Sequence, residues 1–155
     1  MDEIARRAAA AMEQADAAGR EAGVRLVDVG PGRARTALTV EARHLNGHGI
    51  CHGGYVFLLA DAAFAYACNS YGVSAVAAGA DIDFLRPVPL GAELVAEAVE
   101  RARAGRSGLY DVSVRVVDET VAELRGRARM IPGLPGPGAS ADGSGLRRRP
   151  AGGAA

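Results

Sequence analysis

Apolar residues recur at helical spacing from the start of the chain. Ile4, Ala8, Ala11, Met12 and Ala15 share one face of a helix predicted over residues 3 to 18, and Gly19 and Gly23 bracket its exit. The period then shortens. Val24, Leu26 and Val29 mark a strand, Pro31 to Arg33 a turn, and Thr36, Leu38 and Val40 one face of a second strand. His44 to Gly54 holds four glycines and reads as a loop. From Tyr55 the chain runs without proline or glycine through Tyr71 and is rich in leucine and alanine. That run predicts a buried helix ending near Asn69 to Gly72.

Sheet patterning follows. Residues 75 to 85 read as a strand that Pro87 and Pro89 cannot continue. Glu93 to Ala104 alternates apolar and polar positions, yet its alanine, glutamate and arginine favour helix, so both assignments stand. Tyr110, Val112, Val114 and Val116 line a clearer strand. Val121 to Ile131 supplies another, with Gly126 as a bulge or a point of close approach. The order implies an α+β fold, in which an antiparallel sheet covers one long helix. The sheet's other face is expected to need cover from a partner subunit or from the N-terminal helix, which predicts self-association. One domain is expected over residues 1–131. The remainder, 132–155, has eleven glycines and prolines among 24 residues and reads as a disordered tail.

Composition narrows the function classes. Eighteen basic residues balance eighteen acidic ones, which argues against a generally basic nucleic-acid surface. No uncharged apolar run is long enough to span a membrane, and the N-terminus has no secretory pattern. Two cysteines make no disulfide framework, so a reducing cytoplasmic setting is expected.

Asp61 carries the most chemical information. It is the one formally charged side chain between His52 and Ser70, with Phe57, Leu58, Phe64 and Ala65 as its helical neighbours. A carboxylate there must be hydrogen-bonded, hydrated or used. It is either a structural carboxylate tied to a sheet group or a base or nucleophile in a partly apolar cleft. No second carboxylate lies near it in sequence. Asp81 and Asp83 alternate along a strand and read as edge or interface polar residues.

The loop LNGHGICHGG is the second signal. Gly53 or Gly54 at a helix start places a free backbone amide where a developing oxyanion would be stabilised, although such starts also bind phosphate. His44, His48 and His52 lie four apart, but Gly47 and Gly49 break the helix that would bring them together, so no metal site is expected. A Cys51 nucleophile with a neighbouring histidine is conceivable but has no orienting third group. Cys68 reads as core.

The stretch LNGHGICHGGYVFLLADAAFAYACNSYG, followed by DIDFLRPVPLG, resembles the PaaI-type phenylacetyl-CoA thioesterases of the hotdog superfamily; the resemblance covers roughly residues 5 to 131. It implies a curved antiparallel sheet wrapped around one long helix, with two subunits joined edge to edge and further assembly into a homotetramer. It implies an active site at the dimer interface, with Asp61 as catalytic carboxylate, Gly53 as oxyanion amide, and Asn46 and His52 as polar loop residues. The implied substrate is an aryl or ring-hydroxylated phenylacetyl-CoA, with Gly54, Tyr55, Phe57 and Phe64 as candidate substrate-binding residues. No metal or redox cofactor is implied. Medium-chain or hydroxybenzoyl-CoA hydrolysis, and a non-catalytic acyl-CoA-binding module, are the competing readings.

Overall fold

The computed structural model describes residues 2–139. Two short helices, α1 (Asp2–Ala15) and α2 (Ala17–Ala22), precede a hairpin of β1 (Arg25–Gly30) and β2 (Arg33–Thr39). A 3-10 turn, Ala42–His44, leads through the loop to the long helix α3 (Gly53–Asn69). Four strands complete the fold: β3 (Val73–Phe84), β4 (Glu93–Ala104), β5 (Ser107–Val116) and β6 (Glu119–Pro135). They form one antiparallel six-stranded sheet in the order β1-β2-β4-β5-β6-β3. Helix α3 packs against every strand, so the sheet curves around it.

The core sits in that concave face. Ala34, Leu38, Leu94, Ala98, Val112 and Leu124 are buried beneath Val56, Leu59, Ala63 and Phe64 of α3. Alanines at many sheet positions let the helix approach closely, and the larger residues fill the spaces between. Thr36 Oγ–H donates to the Leu59 carbonyl at 3.0 Å, so this buried hydroxyl is satisfied against the helix backbone.

Several expectations change. The N-terminal segment is two helices broken at Asp16, and its buried face is Ala5, Ala8 and Ala9, with Ile4 48% exposed. Small side chains give the closest approach to β1 and α3, which turns the alanine stripe inward. Glu93–Ala104 is a strand: its backbone pairs on both sides with β2 and β5, and that pairing outweighs its helix propensity.

The convex sheet face carries ion pairs. Arg25 pairs with Glu93 at 2.7 Å, Arg127 with Asp81 at 2.6 Å, and Asp111 with both Arg101 and Arg125 at 2.8 and 2.7 Å. These largely exposed pairs make a solvated surface, and the two arginines hold the Asp111 carboxyl below the usual carboxylate range, Arg125 most strongly.

β6 continues to Pro135, four residues beyond the expected domain boundary, and the Gly138 carbonyl accepts a hydrogen bond from the Arg7 guanidinium at 2.9 Å. The rest of the expected tail, 140–155, lies outside the described residues. Among the described residues no helix is long and apolar enough to cross a membrane.

Candidate active site

Helix α3 begins two residues earlier than its apolar run, because His52 caps it. The His52 Nδ1 accepts the Gly54 N–H at 3.0 Å, and the His52 N–H donates to the His44 carbonyl at 2.8 Å. This pins the helix start to the 3-10 turn. Gly54 N–H is therefore occupied, whereas Gly53 N–H has no hydrogen-bond partner among the described residues. Gly53 is the amide left free, at the positive end of the helix dipole.

Asn46 organises the loop ahead of it. Its Oδ1 accepts the N–H groups of His48 at 2.9 Å and Ile50 at 3.4 Å. Its Nδ2, a donor, has no hydrogen-bond partner among the described residues. Asn46 and Gly53 line a cavity of about 410 Å³ together with Val56, Arg86 and Val88. Phe84 lines it too. Its ring lies over Gly53, where an added Cβ would meet it at 3.1 Å. Sequence reading missed Phe84 as a site residue, since an aromatic at a strand end looks like any other core residue.

The remaining loop candidates separate. His44 is fully buried; its Nδ1 accepts the Glu41 N–H at 2.9 Å and its ring stacks at a tilt on Tyr55, centroids 4.6 Å apart. His48 and His52 are exposed, so the three histidines do not converge, and among the described residues no group of three or more His, Cys, Asp or Glu is placed to hold a metal. Cys51 is buried, its Sγ donates weakly to the His52 carbonyl at 3.7 Å, and burial pushes its thiol up. That direction opposes an attacking thiolate.

Asp61 lies elsewhere. It is half-buried in a second cavity of about 490 Å³, lined by Met12, Asp16, Leu58, Ala65 and Tyr66 among others. No hydrogen bond or ion pair is made by its carboxylate among the described residues. Burial raises its pKa, and the charge of Asp16 raises it further. An unpartnered carboxylate with raised proton affinity can accept a proton or attack a carbonyl carbon. Asp16 was invisible as a partner in sequence, because the fold brings it there from a different helix.

Of the expected acyl-contacting residues, Tyr55 and Phe57 are half-buried at the core's margin, with Tyr55 engaged by His44. Phe64 is corrected. It is 1% exposed, sits under Gly126 and packs on Tyr110 with centroids 5.4 Å apart, which leaves no surface for a ligand in this chain. Gly126 is thus a close-approach point.

Eight residues separate Gly53 from Asp61 on α3, about 12 Å along the axis and about 80° around it. Their cavities share no lining residue.

The chain is similar to known thioesterases. Residues 48–123 fit the family model described as the thioesterase superfamily. The acyl-coenzyme A thioesterase PaaI of Escherichia coli K12 is 45% identical over 124 residues, covering 79% of this chain and 89% of that protein. The chain belongs to the PaaI-type acyl-CoA thioesterases. Its architecture is the hotdog fold: the solved structure of E. coli PaaI, from the phenylacetic acid degradation operon, superposes with a TM-score of 0.82 at 42% identity, covering 84% of this chain and 96% of that one. A Streptococcus mutans UA159 protein whose crystal structure holds acetyl CoA gives a TM-score of 0.67 at 25% identity, covering 70% of this chain and 88% of that one. PaaI-type enzymes are thioester hydrolases, and the free helix-start amide and unpartnered carboxylate are the groups such chemistry needs.

Proposed function

We propose that this chain hydrolyses aryl or ring-hydroxylated phenylacetyl-CoA to the free acid and CoA, at a site completed by two copies of the chain. The observation that carries this is the separation of Gly53 from Asp61. A thioester carbonyl bound at one chain's Gly53 is out of reach of the same chain's Asp61, so the carboxylate comes from the partner. Strand β3 supports the pairing: it is a 12-residue sheet edge bonded only to β6, with Val73, Val76 and Phe84 exposed. A long edge of this kind, whose charges are confined to Asp81 and Asp83, invites a second strand. The opposite edge, β1, is shorter, charged and flanked by α1. Two such dimers joined as a homotetramer form the expected full assembly.

In the proposed reaction the acyl carbonyl oxygen points at Gly53 N–H. Asp61 takes a proton from water as the water oxygen bonds to the carbonyl carbon, or attacks that carbon itself to give an anhydride that water then opens. The tetrahedral oxyanion is held by Gly53 N–H, the C–S bond breaks with its electron pair on sulfur, and CoA thiolate leaves. Asn46 Nδ2 donates to the carbonyl or to the attacking oxygen, and His52 holds the loop and the helix start. The similarity of the chain to the E. coli enzyme, together with the operon of that relative, supports a phenylacetyl-type acyl group. Two free, buried cysteines fit a reducing compartment, and we place the enzyme in the cytoplasm.

The test is thiol release from a panel of aryl, hydroxyaryl, medium-chain and short-chain acyl-CoAs, with wild type and Asp61→Asn in parallel. The expected result is fast wild-type hydrolysis of phenylacetyl-type substrates and a loss of about a hundredfold or more in the variant. Equal rates in both proteins, or saturable binding with no release, would reject the catalytic reading. Best turnover on medium-chain or hydroxybenzoyl-CoA would reject only the acyl group.

A further inference from the structure

The N-terminal helix breaks at Asp16, and the break puts a second carboxylate in the cavity of Asp61. Asp16 Oδ1 accepts the Gly19 N–H at 2.9 Å and so caps α2, which Gly23 closes in the left-handed conformation at φ 83°. The same residue lines the Asp61 cavity, whose other walls are largely apolar and include no lysine, arginine or histidine. An apolar wall screens charge poorly, so two carboxylates on one such cavity act on each other.

We propose that Asp16 is a positioning residue for Asp61: fixed in place as a helix cap, its carboxylate acts on Asp61 through charge across the shared cavity. The proposal rests on Asp61 being the reacting carboxylate. It gives the N-terminal segment a part in the reaction beyond packing.

The other ionisable groups around Asp61 support this assignment. Glu13 of α1 and Asp16 both add to the burial that pushes Tyr66 up to about 12. Cys68, further along α3, is pushed up to about 12 by burial first, with the charge of Asp61 contributing. Tyr110 of β5, behind Phe64, is raised further still by burial and by Glu100. Tyr66, Cys68 and Tyr110 stay neutral through the neutral range, and Glu13, the other carboxylate that acts on Tyr66, does not line the cavity. Asp16 is the second carboxylate on the cavity wall, and its effect on Asp61 has one sign: it favours the protonated form, which makes Asp61 the stronger base once ionised.

Asparagine and serine cap helices about as well as aspartate, so Asp16→Asn and Asp16→Ser remove the charge and keep the cap. In both variants the acid limb of kcat/KM for phenylacetyl-CoA should move to lower pH. They would then outpace wild type on the acid side and fall below it on the plateau, with thermal stability no lower than that of wild type. An independent readout needs no turnover: the carbon-13 carboxyl resonance of Asp61, assigned by its disappearance in Asp61→Asn, should titrate at lower pH in Asp16→Asn. A titration that stays where it is in a folded variant overturns the proposal and leaves Asp16 a cap alone. If the wild type released thiol from no acyl-CoA, the functional reading would fall, and the resonance would still decide whether Asp16 acts on Asp61.

Discussion

The two ends of α3 are built on opposite rules. At the C-terminal end the polar groups find partners. Ser70 Oγ donates to the Ala67 carbonyl at 2.7 Å and accepts the Gly32 N–H at 2.8 Å. Asn69 bonds both the N–H and the carbonyl of Ala75, at 2.9 and 3.0 Å. Glu100 receives the hydroxyls of Tyr110 at 2.7 Å and Tyr71 at 3.2 Å. Toward the N-terminal half, Gly53 N–H and the Asp61 carboxylate have no partner among the described residues, and the buried His44 Nε2 has none either. The same helix, packed on the same sheet, is finished at one end and left open at the other. Polar groups left without partners are costly, and two of these three, the Gly53 N–H and the Asp61 carboxylate, belong to residues that line cavities.

The sharpest way to break this comparison is at Asp61, where loss of activity should come with a gain in stability. Because the folded-state proton affinity of Asp61 is raised above the ordinary carboxylate range, the folded form binds more protons than the unfolded one between the two values. Stability from this group is therefore present at low pH and lost as pH rises through the raised value. Asp61→Asn removes that loss. Its melting temperature should exceed wild type at neutral pH, and the gap should close in acid below the ordinary carboxylate range. A variant less stable than wild type at neutral pH would mean that Asp61 is a structural carboxylate.

At the finished end the prediction reverses. Tyr110→Phe takes from the half-buried Glu100 carboxylate its shorter hydroxyl bond, donated by a fully buried tyrosine, which should lower stability by about 1.5–3 kcal/mol. Turnover per folded molecule should stay at the wild-type level. Chemical denaturation and active-site-normalised kinetics separate the two. A large fall in kcat with little loss of stability would show that the two ends are coupled.

Sequence reading reached the open end more fully than the finished one, for a physical reason. Asp61 in an apolar run and Gly53 before a helix are local anomalies, visible without knowing the fold. Glu100, Tyr71 and Tyr110 look ordinary one by one, and only strand pairing and the end of α3 bring them together. Asp16 was legible in part: an aspartate three residues before Gly19, with Gly23 beyond, is a cap pattern, but nothing local says which cavity it enters. Phe64 was misplaced because α3 is apolar nearly all round, so its sequence does not show which flank faces the sheet. The convex face was readable. Asp111, Ser113 and Arg115 alternate with buried valines, and Glu123, Arg125 and Arg127 alternate with small or apolar residues, so the polar side of these strands could be read off.

The smallest expected effect comes from two glycines, each lying under a phenylalanine ring. A Cβ at Gly126 would meet the Phe64 ring at 2.9 Å, and a Cβ at Gly53 would meet the Phe84 ring at 3.1 Å. The distances are alike but the rings differ. Phe64 is 1% exposed and packed on Tyr110, so it has nowhere to go, and Gly126→Ala should overpack the core by about 1–3 kcal/mol. Phe84 is 55% exposed at the end of an edge strand, so Gly53→Ala can push it aside with little effect on unfolding. The Gly53 amide survives the substitution, since only a methyl group is added. What changes is the wall over that amide: holding the ring about 30° from its preferred rotamer costs about 0.5–1.5 kcal/mol. If productive binding requires the ring where it now lies, kcat/KM should fall by a factor of about two to ten with unfolding unchanged. An equal loss of stability in both variants would place Gly53 with the packed core, and the helix start would no longer count as the open end.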